Sequence, residues 1–179
     1  MRKLSAGILL LLALPLAAQQ DHQQHMKSQA APQAMAQHHA FLDAERQAIA
    51  NGEGFGMALA ADKGGYPGPK HVLDMKKELR LTPAQEAAMQ ELMAKMKEKA
   101  LAKGQDVLAA EKRLEELFAQ GKSEDELREE TYRVASLRAE LRWVHLAAHL
   151  AARKILTPAQ NVKYQELRYG SAAHSHPMP

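Results

Sequence analysis

Histidines and methionines at helical spacing are the side chains of this sequence best suited to chemistry. His145 and His149 stand four residues apart, which on a helix puts both imidazoles on one face, where they could chelate a single divalent ion. Upstream, His71 and Met75 repeat the spacing and could supply a third and a fourth ligand. Two histidines alone fall short of a tetrahedral site. Their neighbours Trp143, Val144, Leu146, Ala147, Ala148 and Leu150 are apolar almost all the way round. An equally good reading therefore has both rings buried and hydrogen-bonded in a core or a dimer interface.

Met89, Met93 and Met96 form a second helical set. Thioethers favour Cu(I), yet methionine at this spacing usually packs a core and offers an adaptable apolar surface. That adaptability suits a face that binds many partners. The same stretch carries Lys95, Lys97, Lys99 and Lys103, opposed by the acidic run from Glu124 to Glu130. Such charges usually form solvated faces and intrahelical pairs. If Lys95, Lys99 and Lys103 instead line a concave dimer surface, they attract acidic, partly unfolded chains at long range while Met89, Met93 and Met96 hold them at contact. The ends add His22, His25, Met26, Met35, His38 and His39 on one side and His174, His176 and Met178 on the other. These tracts could scavenge metal weakly or serve only as solvated tails.

Nothing here predicts an enzyme. There is no cysteine, and no serine stands in Gly-x-Ser-x-Gly. Gly52-Glu53-Gly54-Phe55-Gly56 imitates a phosphate loop, but Met57 replaces the last glycine of the dinucleotide fingerprint and no strand precedes it.

The elements that must position these residues are all helical. Ala, Leu, Glu, Lys, Arg and Gln dominate the centre, and aromatic residues make up only 4%. Residues 1–18 join a basic start (Arg2, Lys3) to a short apolar run and a small-residue exit, the pattern of a cleaved signal peptide. No later stretch is apolar enough to span a bilayer, so no membrane span is expected after cleavage. Without Arg2 and Lys3 there are 22 basic and 21 acidic residues, a balance that gives nucleic acid no purchase.

Residues 19–39, rich in Gln, His and Ala, read as a disordered leader. Residues 40–69 hold short helices, one from about His39 to Ala50 and one from Met57 to Lys63, and end in the Gly64-to-Pro69 breaker. The body, residues 70–169, begins with a helix from His71 to Arg80. Then comes Leu81-Thr82-Pro83-Ala84-Gln85, in which Thr82 fits an N-cap, Pro83 the first helical position and Gln85 the third position of a capping box. Leu156-Thr157-Pro158-Ala159-Gln160 assigns the same roles to Thr157, Pro158 and Gln160. Between the two, apolar periodicity predicts one helix from Pro83 to about Ala119, with Gly104 as its weak point, and another from Ser123 to about Ile155. A linker this short folds them into an antiparallel hairpin. A last helix runs to Tyr169, and residues 170–179 form a loose His-containing tail.

Two Leu-Thr-x-x-Gln motifs, Leu81 to Gln85 and Leu156 to Gln160, bracketing a long hairpin behind a signal peptide resemble the Spy/CpxP family of periplasmic proteins. The similarity covers roughly Lys70 to Tyr169. It implies a cradle-shaped homodimer of all-α hairpins acting in envelope stress. Some members are ATP-independent chaperones that hold unfolding clients on the concave face and need no cofactor. Others bind or sense zinc, copper, nickel or cobalt through His-x-x-x-His or His-x-x-x-Met pairs, which His71, Met75, His145 and His149 resemble. A third expectation is a partner of a sensor kinase or of another envelope protein with neither activity.

Overall fold

The computed structural model describes residues 17–170; most of the signal-peptide segment and the tail from residue 171 lie outside the described residues. Six helices follow in order, α1 (Ala17–Ala50), α2 (Leu59–Lys63), α3 (Pro69–Asp74), α4 (Pro83–Ala119), α5 (Glu124–Ile155) and α6 (Pro158–Tyr169). Among the described residues there is no strand, so the fold is all-α. No described helix is long and apolar enough to cross a membrane. The chain divides after Asp43 into a small N-terminal unit and a larger one that carries everything below.

Residues 19–39, read from composition as a leader, fall within α1, together with the short helix expected from His39. One expectation needs correction. The helix expected over His71 to Arg80 ends at Asp74, and a run of turns follows. Arg80 takes a left-handed φ of +51°, and Leu81 N–H reaches back to the Lys76 carbonyl at 3.0 Å, which turns the chain into the first motif.

The hairpin is as expected. At 37 residues, α4 is about 55 Å long. A turn over Gln120–Lys122, with Gly121 at φ +64°, reverses the chain into α5. Pairing across the hairpin runs antiparallel: Lys103 meets Glu140 at 2.7 Å, and Arg113 meets Glu130 at 3.4 Å. Arg138 donates to Glu111 of α4 at 2.7 Å and to Glu45 of α1 at 3.0 Å, so the end of α1 is tied into the same network.

Two apolar cores hold the larger unit together. One, at the open end of the hairpin, joins Val72, Leu79, Met89, Ala152, Leu156 and Tyr164. The other, farther along, joins Ile49, Ala100, Val107 and Leu141. Gly104 is explained by the second: a Cβ there would come within 2.6 Å of the Ile49 carbonyl oxygen. The helix accepts a glycine because α1 must approach its backbone this closely.

Candidate functional site

At the open end of the hairpin the two pentapeptides meet. Both form complete capping boxes: Thr82 Oγ1 accepts from Gln85 N–H at 3.2 Å, and Thr157 Oγ1 accepts from Gln160 N–H at 3.2 Å. The glutamines do more than cap. Gln85 Nε2 donates to Gln160 Oε1 at 2.7 Å, and Gln160 Nε2 donates to Gln85 Oε1 at 3.0 Å. The second N–H of each amide goes to the opposite chain segment, Gln85 to the Ile155 carbonyl at 3.0 Å and Gln160 to the Leu79 carbonyl at 3.1 Å.

Each oxygen also accepts its own cap N–H, from Thr82 at 3.1 Å and from Thr157 at 2.9 Å. Both donors and both acceptor positions of each amide are thus used. A capping box alone would tolerate glutamate, but a carboxylate has no N–H to offer the facing carbonyl and amide oxygen. Leu156 is buried and Leu81 packs against the same core. The motif therefore welds the start of α4 to the junction of α5 and α6, a role that reading each copy by itself as a cap does not reveal.

Beside this weld lies a cavity of about 240 Å³ to which His71, His145, His149, Asp62 and Met96 all contribute. The segment between α1 and α3 roofs it. A Cβ on Gly54 would stand 3.3 Å from His145 Nδ1, and one on Gly68 would stand 3.1 Å from His149 Nε2 and 3.5 Å from His71 Cδ2. His149 Nδ1 lies 2.9 Å from the Tyr66 carbonyl; because a carbonyl only accepts, Nδ1 donates there, which in the neutral ring leaves the lone pair on Nε2. His145 is buried, and its Nε2 has no hydrogen-bond partner. Burial, and then the nearby His149, hold the His145 pKa below its ordinary value. Burial also lowers that of His71, as does Arg168, whose Nη2 lies 3.3 Å from His71 Nε2.

Three of the four proposed metal ligands thus share a cavity. Met75 is not among its lining and packs against the core at the open end of the hairpin, while Met96 takes a place in the wall. Met75 N–H still bonds the His71 carbonyl at 3.1 Å, so the four-residue helical spacing is kept, but the Met75 side chain is taken up by the core. Among the described residues no group of three or more His, Cys, Asp or Glu side chains is arranged to hold a metal ion.

The methionine set also divides. Met89, for which the sequence allows either a core or an adaptable surface, is fully buried in the core, Met93 is half-buried, and Met96 reaches a groove between α4 and α5 of about 330 Å³. Leu92, Met96, Val144 and Ala147 line this groove, Lys95 and Lys99 rim it, and Trp143 stands on its far side, 59% exposed. Lys95 pairs with Glu91 at 2.5 Å, whereas Lys99 has no acidic partner among the described residues. Lys103 is drawn out of the set by Glu140 and Asp106. Trp143 is the functional candidate that sequence reasoning missed. The chain's lone tryptophan stands in an apolar run, and the helix phase that buries Leu141 and His145 turns it outward.

A family model described as LTXXQ motif family protein matches residues 68–168 of this chain. No curated protein and no solved structure matches it.

Proposed function

Because the chain belongs to the LTXXQ motif family, which contains the Spy/CpxP-like proteins, we propose that it is an ATP-independent periplasmic chaperone that holds unfolded clients against the α4/α5 groove. The family is typically periplasmic, which fits the signal-peptide pattern of the first residues. One observation carries the reading: a large aromatic side chain, Trp143, is left exposed beside an apolar groove rimmed by Lys95 and Lys99. Exposed tryptophan next to adaptable methionine and leucine provides contact energy with little demand on client sequence. The unpaired Lys99 draws acidic chains toward it.

Holding requires no bond making and no nucleotide. The client loses water-exposed apolar surface to the groove and is thereby kept from other unfolded chains. The test is suppression of aggregation of a chemically reduced client, without ATP, at a few-fold molar excess. A Trp143→Ser, Lys99→Glu double variant should lose most of the suppression. Undiminished suppression by that variant would overturn the placement of the client face, and no suppression by the parent would overturn the function.

The unpartnered Nε2 of buried His145 favours a second reading, binding of a divalent metal. The residues fit such an ion in part. His149 Nε2 is free to donate and His145 Nε2 is an orphaned buried donor atom, but His71 Nε2 faces the Arg168 guanidinium. His145 and His149 would hold the ion, and the ion would supply a cross-link between neighbouring turns of α5. Calorimetric titration of the full chain with Zn²⁺ or Cu²⁺ tests this. A His145→Ala, His149→Ala double variant that binds as tightly as its parent would sink it.

A further inference from the structure

On another face of the larger unit, where α5 ends and α6 begins, lies an open cleft of about 750 Å³. That size is within the roughly 300–1,000 Å³ of ligand clefts. Its floor is apolar: Leu150 and Val162, 39% and 47% exposed, and Leu156. Arg153 and Lys154 stand over it, and no acidic side chain contributes to its lining. Neither cation has an acidic partner among the described residues, and Arg153 Cζ lies over the Tyr66 ring, 4.6 Å from its centroid.

Basic residues in the last turn of a helix usually answer the free carbonyls there. Here Asn161 Nδ2 donates to the carbonyl of Arg153 at 3.0 Å and, just past the helix, to those of Leu156 at 3.3 Å and Thr157 at 3.1 Å, while Gln85 Nε2 takes that of Ile155 at 3.0 Å. The Lys154 head is therefore left for something else, and Arg153, placed over Tyr66, still has its N–H groups to offer. Tyr66, which forms one wall, precedes the stretch matched by the family model.

We infer that this cleft binds a peptide segment in which an acidic residue adjoins a bulky apolar one, the carboxylate seated between Arg153 and Lys154 and the apolar side chain on Leu150 and Val162. Paired cations beside a desolvated apolar floor discriminate against basic and against purely polar segments alike. The site is separate from the α4/α5 groove and stands or falls without it.

The test is fluorescence anisotropy of a labelled peptide of alternating Asp and Leu, titrated with the full-length protein carrying Trp143→Ser and Lys99→Glu, so that the α4/α5 groove does not compete. The peptide should bind this groove variant, and binding should weaken about tenfold or more when Lys154→Glu or Val162→Asn is added, and by less with Lys154→Gln. Both Lys154 and Val162 are exposed, so circular dichroism should show each variant folded. Unchanged affinity in both Lys154→Glu and Val162→Asn, equal binding of a Lys/Leu peptide, or loss of binding in the groove variant overturns the assignment. So does cosedimentation with phosphatidylglycerol vesicles by a protein that ignores the peptide, which would make the cleft a lipid site.

Discussion

Replacing Gln85 by leucine tests how the two pentapeptides work together. The substitution keeps most of the side chain's volume but removes four hydrogen bonds: from Thr82 N–H, to the Ile155 carbonyl, and both bonds exchanged with Gln160. It also leaves the Ile155 carbonyl and half of the Gln160 amide unpaired in a part-buried place. Each such bond contributes about 0.5–1.5 kcal/mol net, and the partly solvated setting trims the total to roughly 2–4 kcal/mol. For a unit of this size that is a fall in Tm of roughly 10 °C.

Because the amides serve each other, Gln160→Leu should cost much less once Gln85 is gone. The cycle should show a coupling of about 1–2 kcal/mol. Urea denaturation followed by circular dichroism on the four proteins of the cycle measures it. If the single effects add to within about 0.5 kcal/mol, the motifs are independent caps and the weld described here is wrong. Gln85→Glu provides a sharper chemical check: its carboxylate would face two acceptor oxygens, so it should destabilise at least as much as leucine at neutral pH, and less in acid, where it regains a proton.

Other expectations follow from single contacts. Thr82→Ala and Thr157→Ala should each cost about 1 kcal/mol in urea denaturation through loss of the cap acceptor. Helix propensity alone says that Gly104→Ala should stabilise by about 1 kcal/mol. The Ile49 carbonyl 2.6 Å from the added Cβ reverses the sign, and a lowered Tm is expected. The pKa of His145 is lowered on folding, so the folded state favours the neutral ring. That contribution is complete above the unfolded value near 6.5 and is lost as pH falls through it toward the lower folded value, where the unfolded chain takes the proton first. Melting curves across this range should fall less steeply with acid in His145→Gln than in the parent.

Much of this fold can be read from short-range rules. The starts of α4, α5 and α6 follow from Thr82, Ser123 and Thr157 with Gln85, Glu126 and Gln160 three residues on, because a capping box is a local device. The hairpin follows from its short turn. What local rules miss is set by partners distant in sequence. The Gln85–Gln160 pair spans 75 residues, and nothing in either pentapeptide indicates that the other is its partner. Gly104 looks like a defect until Ile49 is placed against it. The spacing of His71, His145 and His149 points to the cavity they share, but the same spacing adds Met75, because it does not show that the core at the open end of the hairpin takes that side chain. Met89 is covered by the core while Trp143 is left exposed, because periodicity gives a helix a face without saying which neighbours will cover it.

The central claim is that clients lie against Trp143, and the chain's single tryptophan makes this directly observable. Its emission should be recorded while a tryptophan-free client, held unfolded by reduction, is titrated into the full-length protein. Burial of a side chain that is 59% exposed in the free protein should shift the emission to shorter wavelength and saturate with client concentration. The same client should give a weaker, right-shifted curve with Lys99→Glu. Suppression of client aggregation with no change in Trp143 emission would contradict the account, since clients would then be held on some other face.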